Sequence, residues 1–356
     1  MLLDCSDTGK IKIDMRQYLK QIFEEVTDEF DGIATSPAAN HLFDINDDCE
    51  NLSEEKAIFF HHIVYKLLFL CKRGRPDIQT AIVFLTTRVK CPDKGDLKKL
   101  YRVIKYLRST SELVLTLECD ESGNLQWWVD ASFAVHHDMK SHTGGVMSLG
   151  KGAIYSCSTK QKLNTKNSTE SELVGIDDVM PMILWMRYFL EAQGFVVNDN
   201  IVYQDNMSTM KLAENGRKSM GKRSRHINIR YFFVTDRLAA GDISIKYCPT
   251  EKMVADFYTK PLQGKLFRMF RNLILNCVDT ESESFYKSAE NSKTKSADTP
   301  IKAGVASQEC VWKTLLCKNN IGTYENETRS IVKDVRPNIL AKLASNTYHI
   351  SNIKPQ

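Results

Sequence analysis

Asn124-Leu125-Gln126-Trp127-Trp128-Val129-Asp130-Ala131 is the stretch from which the fold can be read. Its aromatic and branched residues favour an extended, half-buried strand. Asp130 directly follows Trp127-Trp128-Val129 inside that strand. A carboxylate there is costly unless a cation or a metal ion compensates it, which marks position 130 as a candidate functional residue.

Two further β-like segments follow at 144–149 and 153–160, joined by Gly150-Lys151-Gly152 as in a hairpin. A long helix is expected from near Ser168 towards Gln193-Gly194, with Pro181 kinking or splitting it. A strand at 201–204, a short helix, a Lys/Arg-rich stretch at 217–225, a helix at 229–239, a strand at 243–247 and a helix after Pro249-Thr250 complete the pattern. Strands first, then alternating helix and strand, predict a mixed α/β sheet.

Upstream, Lys10-Ile11-Lys12-Ile13-Asp14-Met15 alternates and a helical stretch covers about 18–26. From 53 to about 110 the period is helical: Ser53 is placed to cap, Glu54-Glu55 suit the first turn, and Arg75-Pro76 breaks the run and restarts a helix. A further helix puts Leu97, Leu100, Tyr101, Ile104 and Leu107 on one face. Lys98, Lys99, Arg102, Lys105 and Arg108 lie mainly off it, a face that is either simply solvated or able to follow phosphates. Beyond Cys277 the sequence turns polar and loses periodicity, so 278–356 reads as a largely disordered tail with a short helix near 311–316.

The 356 residues carry a net charge of only +4, but Lys211 to Arg271 hold fourteen Lys or Arg against five Asp or Glu. That imbalance suits a polyanionic partner as well as a solvated basic face. Ten scattered cysteines without a Cys-x-x-Cys pair indicate a reduced, intracellular chain, cytoplasmic or nuclear, without structural zinc. No secretion signal is visible, and no apolar run approaches the roughly 20 residues that span a bilayer. His136, His137 and His142, with Cys157 not far off, match no zinc spacing and read as a loop with exposed histidines.

Three more acidic residues join Asp130: Glu170 in the first turn of the long helix, Asp205 at the end of a strand, and Asp256 after Met253-Val254-Ala255. Carboxylates on two neighbouring strands and two helices suit hard, oxygen-seeking Mg²⁺. Each also has an ordinary role: Asp205 as a turn residue, Glu170 as the capping-box partner of Asn167, Asp256 as an exposed helix residue.

The flanking sequence adds to this. Trp128-Val129-Asp130-Ala131-Ser132-Phe133, Lys160-Gln161-Lys162-Leu163-Asn164 with Ser168-Thr169-Glu170-Ser171-Glu172, Gln204-Asp205-Asn206, Arg225-His226-Ile227-Asn228-Ile229-Arg230-Tyr231, and Val254-Ala255-Asp256-Phe257-Tyr258-Thr259-Lys260-Pro261-Leu262 stand in this order. Together they resemble the successive motifs of the ribonuclease H of copia-type retrotransposon Pol polyproteins. The resemblance implies a ribonuclease H-like mixed five-stranded sheet with flanking helices over 119–277. It also implies an Asp-Glu-Asp-Asp site of Asp130, Glu170, Asp205 and Asp256. Asp130 would bridge two Mg²⁺ or Mn²⁺ ions, Glu170 and Asp205 would complete one side, and Asp256 would hold the other. Glu170 and Glu172 lie about 200° apart on a helix, so only one can face such ions. The motif match chooses Glu170, and Asp177, two turns on, is a weaker auxiliary candidate.

The resemblance continues over 1–118, where Ser36-Pro37-Ala38-Ala39, Lys66-Leu67-Leu68-Phe69-Leu70 and Arg75-Pro76-Asp77-Ile78 resemble the thumb and connection of a copia-type reverse transcriptase. A polymerase palm would need Tyr-x-Asp-Asp. The only Asp-Asp pairs, Asp47-Asp48 and Asp177-Asp178, lack that context, so DNA synthesis is not expected. The implied activity is endonucleolytic cleavage of the RNA strand of an RNA–DNA hybrid, with no small-molecule substrate and no membrane partner. The remaining Pol polyprotein is a further expected partner. Arg217, Lys218, Lys222, Arg223, Arg225 and His226 are the candidate hybrid contacts. The alternatives are a catalytically inactive, nucleic-acid-binding retrotransposon relic and, disfavoured by motif order, an integrase-like strand transferase.

Overall fold

A computed structural model describes residues 1–26, 32–120, 122–215 and 228–277, without the side chains of 228–232. The expected tail at 278–356 and the basic stretch at 217–225 lie outside the described residues.

The N-terminal part begins with strands β1 (Leu2–Asp4) and β2 (Lys10–Asp14), then helix α1 (Arg16–Glu25). Helices α2 (Glu54–Arg73), α3 (Gln79–Thr86) and α4 (Lys94–Ser109) follow, with a single 3₁₀ turn, Pro76–Ile78, between α2 and α3. Ser53 stands at the N-cap of α2 but makes no side-chain cap bond. Helix α4 is instead secured by an unforeseen capping box, in which Asp93 accepts from the Asp96 amide and Asp96 from the Asp93 amide.

The break at Arg75-Pro76 is also a buried ion pair. Arg75 Nη2 lies 2.8 Å from Asp77 Oδ2, Tyr106 Oη donates to the same carboxylate at 2.6 Å, and Arg75 Nη1 donates to Thr110 O at 2.9 Å. The charges match one to one, and both oxygens of the Asp77 carboxylate accept hydrogen bonds.

Strands β3 (Leu115–Cys119), β4 (Asn124–Ser132), β5 (His142–Ser148), β6 (Gly150–Lys151) and β7 (Tyr155–Lys160) come next. Helix α5 (Ser168–Ala192), strand β8 (Asp199–Gln204), helices α6 (Met207–Asn215) and α7 (Asn228–Ala239) and strand β9 (Ser244–Tyr247) follow them. The described chain ends with helices α8 (Asp256–Thr259) and α9 (Gly264–Leu275). The helix expected after Pro249-Thr250 is thus divided: a 3₁₀ turn, the short α8, and α9 beyond Pro261, a residue that cannot continue a helix hydrogen-bond ladder. Pro181 does not split α5. It lies on the exposed side, where the carbonyl it leaves unbonded can turn to water.

The strands form two sheets, one in the order β1-β2-β3-β6 and a mixed one in the order β7-β5-β4-β8-β9. In the mixed sheet β4 is antiparallel to β5 and parallel to β8, and β8 is parallel to β9. This is the five-stranded mixed sheet expected from the sequence. Two adjacent glycines of β5 reveal how it is covered. A Cβ on Gly144 would come within 2.6 Å of Thr259 Cγ2 and 2.9 Å of Tyr258 Cβ, whereas one on Gly145 would meet Val179 Cγ2 of α5 at 3.1 Å. Successive strand residues point to opposite faces, so α8 is pressed against one face and α5 against the other.

Behind α8 lies the main core. Phe60, Leu67, Ile82, Ile104 and Tyr106 of the N-terminal helices share one buried cluster with Val146, Phe257, Tyr258, Phe267 and Phe270. Residues 1–118 and 119–277 are also joined by backbone pairing, Glu118 opposite Lys151.

Candidate metal centre

Parallel pairing of β4 with β8 sets Trp128 opposite Tyr203. Two residues further on, Asp130 and Asp205 emerge together at the same end of the sheet. Asp256, the first residue of α8, reaches them because glycine at 144 lets that helix approach the strand. One carboxylate oxygen from each of Asp130, Asp205 and Asp256 lies within 4.8 Å of the other two. Asp130 and Asp256 are 2% and 4% exposed, so water does little to offset their repulsion.

Neighbouring side chains hold these groups in place. The Thr259 hydroxyl donates to Asp130 Oδ2, and Thr250 Oγ1 donates to Asp205 Oδ2 at 3.0 Å. Lys260 Nζ stands 2.7 Å from Asp256 Oδ1 and 3.4 Å from Asp130 Oδ2. Burial opposes the Lys260 charge, yet Asp130 and Asp256 raise its pKa above the ordinary range.

The two glutamates of α5 are placed the other way round from the motif match. Glu170 accepts from the Lys166 amide at 2.8 Å, while its own amide donates to Asn167 Oδ1 at 2.9 Å. It helps to fix the helix start, whose N-cap is Asn167. Glu172 is turned towards the cluster: the charges of Asp130 and Asp205 act on it, and it accepts from Gln204 Nε2 at 3.2 Å. The physical reason is the helix phase. Glu172, Ile176, Val179, Ile183, Met186 and Leu190 are all buried and recur at the spacing of one helix face. Asp177 is half-buried and is not part of the carboxylate group.

Titration reflects the crowding. Burial, then the charges of Asp130 and Asp205, push Glu172 well above the usual carboxylate range. Burial and the Asp130 charge raise Asp205, and they push Asp256 up to about 7. The cluster therefore holds more negative charge than the one ammonium beside it can offset. Its donors are all oxygen, which fits a hard divalent cation rather than zinc or copper.

Arg217, Lys218, Lys222, Arg223, Arg225 and His226 lie outside the described residues. The histidine expectation is corrected: His136 and His142 are 5% and 0% exposed. His136 Nε2 lies 3.0 Å from His142 Nδ1, and His142 Nε2 lies 2.7 Å from Ser158 Oγ. Phe43 packs against both rings, its centroid 5.0 Å from His136 and 5.3 Å from His142. Burial lowers their pKa values to about 4 and about 3, so both are neutral packing groups. None of the eight described cysteines forms a disulfide.

No family model matches the chain. Its homologues are retrotransposon Pol polyproteins. It is 24% identical over 270 residues to the retrovirus-related Pol polyprotein from transposon TNT 1-94 of Nicotiana tabacum, covering 74% of this chain and 20% of that protein. It is 28% identical over 202 residues to that from transposon RE1 of Arabidopsis thaliana, covering 56% of this chain and 14% of the relative. The chain thus spans a fifth or less of the length of these curated relatives. Among solved structures, the RNase H1 of Halobacterium salinarum NRC-1 aligns with TM-score 0.25 and 11% identity, over 37% of this chain and 90% of that one. A foamy viral protease-reverse transcriptase in complex with RNA/DNA hybrid aligns with TM-score 0.37 and 12% identity, over 73% and 31%. No described helix is long and apolar enough to cross a membrane.

Proposed function

We propose that this chain, whose homologues are retrotransposon Pol polyproteins, is the ribonuclease H part of such a protein: a metal-dependent endonuclease that cuts the RNA strand of an RNA–DNA hybrid, leaving a 3′-hydroxyl and a 5′-phosphate. The reading rests on one observation, the meeting of Asp130, Asp205 and Asp256 within 4.8 Å at one end of strands β4 and β8. We assign Asp130, Glu172, Asp205 and Asp256 as the residues that would hold Mg²⁺ or Mn²⁺. When bound, two such ions polarise the scissile phosphate and promote attack by water.

The chain's own residues do the positioning. Thr259 and Thr250 each hold one oxygen of Asp130 and Asp205, fixing the carboxylate and leaving its second oxygen for a ligand. The Gln204 amide steadies Glu172, and its carbonyl oxygen accepts from the Asp205 amide at 2.8 Å, tying two of the carboxylates to one side chain. Lys260 supplies a positive charge at the cluster in the absence of metal and, once released, can pair with a substrate phosphate. Recognition rests on hybrid shape and the RNA 2′-hydroxyls rather than on base sequence. The hybrid and the rest of the polyprotein are the proposed partners; polymerisation and a small-molecule substrate are not part of the reading.

Cleavage of an end-labelled RNA–DNA hybrid with Mg²⁺ or Mn²⁺ tests this. Cutting of the RNA strand alone, lost in Asp130→Asn and Asp205→Asn, supports the assignment. Intact RNA under both metals overturns it.

A further inference from the structure

The basic face of α4 borders a cavity of about 430 Å³, lined by Lys98, Lys99 and Arg102 together with Pro37 and Ala38. Three cations spaced along a turn of one helix do not by themselves make a site, since such a face is often only solvated. Two further observations distinguish this one. Arg102 Nε is buried and has no hydrogen-bond partner, although Arg102 Nη2 donates to Ser36 Oγ at 3.1 Å. A guanidinium donor kept from water and left unbonded is a standing cost that an anion would remove.

The second observation is position. Ser36 Oγ donates to Gln263 Oε1 at 2.7 Å, and Gln263 Nε2 donates to Ala38 O at 2.7 Å. Gln263 lies three residues beyond Lys260, the residue that touches Asp130 and Asp256. Pro37 and Ala38 also line a smaller cleft together with Lys260 and Leu262. One run of residues thus lines the cavity on one side and a cleft shared with Lys260 on the other. This is the Ser36-Pro37-Ala38-Ala39 segment, for which the cutting chemistry has no use.

We infer that this cavity is a second anion site, which holds a backbone phosphate of the nucleic acid away from the cut. Lys98 and Arg102 would bind the phosphate. Lys98 is exposed and makes no ion pair among the described residues, whereas Lys99 is committed to Asp44 O at 2.6 Å and to the Phe84 ring. Asp93 also lines the cavity but is held by Arg88 at 3.1 Å, so Asp44 is the acidic lining residue that opposes the anion. The inference deepens the nucleic-acid reading and rests on it, but it does not require cleavage.

The test is binding of a fluorescent RNA–DNA hybrid and of a DNA duplex of the same sequence to the full chain, over a salt series in Ca²⁺. Lys98→Glu is compared with Lys98→Arg and with Lys20→Glu, an exposed control on α1. Lys98→Glu should weaken both ligands about five- to tenfold and lower the salt slope by about one. Lys98→Arg should retain wild-type binding, and Lys20→Glu should leave the slope unchanged. Equal effects of Lys98→Glu and Lys20→Glu, or no binding by the wild type, would overturn the inference. Binding that depends on Lys98 without any RNA cleavage would keep the cavity and remove the nuclease.

Discussion

Two regions of this molecule bury charge, and they do it in opposite ways. Around Asp77, one carboxylate meets one guanidinium and one phenol, with side chains of Arg75 and Asp77 at 2% and 0% exposure. Burial alone would raise the Asp77 pKa, but Arg75 holds it below the usual range. Around Asp130, four carboxylates meet one ammonium, and Glu172, Asp205 and Asp256 are all held above the usual range. Both regions lie in stretches that resemble Pol motifs. A balanced buried charge indicates a structural brace; an unbalanced one indicates a site awaiting a cation.

The sharpest way to break this comparison is to unbalance the brace. Asp77→Ala leaves Arg75 buried without its partner and should cost about 3–5 kcal/mol of stability, read as a collapse of the denaturation midpoint. Loss of a few tenths would mean that the pair is not a brace.

Removing the ammonium from the other region should act through metal binding. With Lys260→Met, Mn²⁺ no longer competes with a built-in cation. Its affinity should rise about three- to tenfold, a modest gain because the lysine is partly exposed. The metal-free protein should melt at a lower temperature, since Asp130 and Asp256 lose their counter-charge. Unchanged Mn²⁺ titration by calorimetry would contradict this.

The pH dependence of stability separates the carboxylates from the histidine pair. Asp256 has a folded pKa of about 7, above its unfolded value. Its contribution is therefore full in acid and is lost as pH rises through about 7. His136 and His142, lowered to about 4 and about 3, contribute above their unfolded range and lose that contribution as pH falls. Mn²⁺ should therefore raise the melting temperature more at pH 8 than at pH 5. An equal rise at both would show that the carboxylates are not the metal-responsive groups.

The smallest effect concerns the helix start. Glu170→Gln keeps a side-chain acceptor for the Lys166 amide and should cost well under about 1 kcal/mol, with metal affinity unchanged. A large loss of Mn²⁺ binding would return Glu170 to the cluster.

Much of this could be read from the residues. The strands β4, β5, β7, β8 and β9 and the helix α5 follow from period and turn chemistry, and Asp130 stood out by its apolar neighbours. The local motif match selects Glu170, whereas we propose Glu172, because the motif by itself does not carry the phase of the whole helix. Followed to Leu190, the apolar stripe of α5 points to Glu172, so the signal lies further along the helix, in Ile176, Val179, Ile183 and Met186. The His136–His142 contact, the Gln263–Ser36 bridge and the close approach of α8 over Gly144 join segments far apart in the chain. No local pattern encodes such meetings; they follow from packing of the whole core.

We propose that this carboxylate cluster, with Glu172 as its fourth member, cuts RNA. Cleavage of a labelled RNA–DNA hybrid in Mn²⁺ by wild type, Glu172→Gln and Glu170→Gln tests it most directly. The account predicts RNA-strand cutting by wild type and Glu170→Gln and none by Glu172→Gln; cutting by Glu172→Gln at the wild-type rate, or none by the wild type, would contradict it.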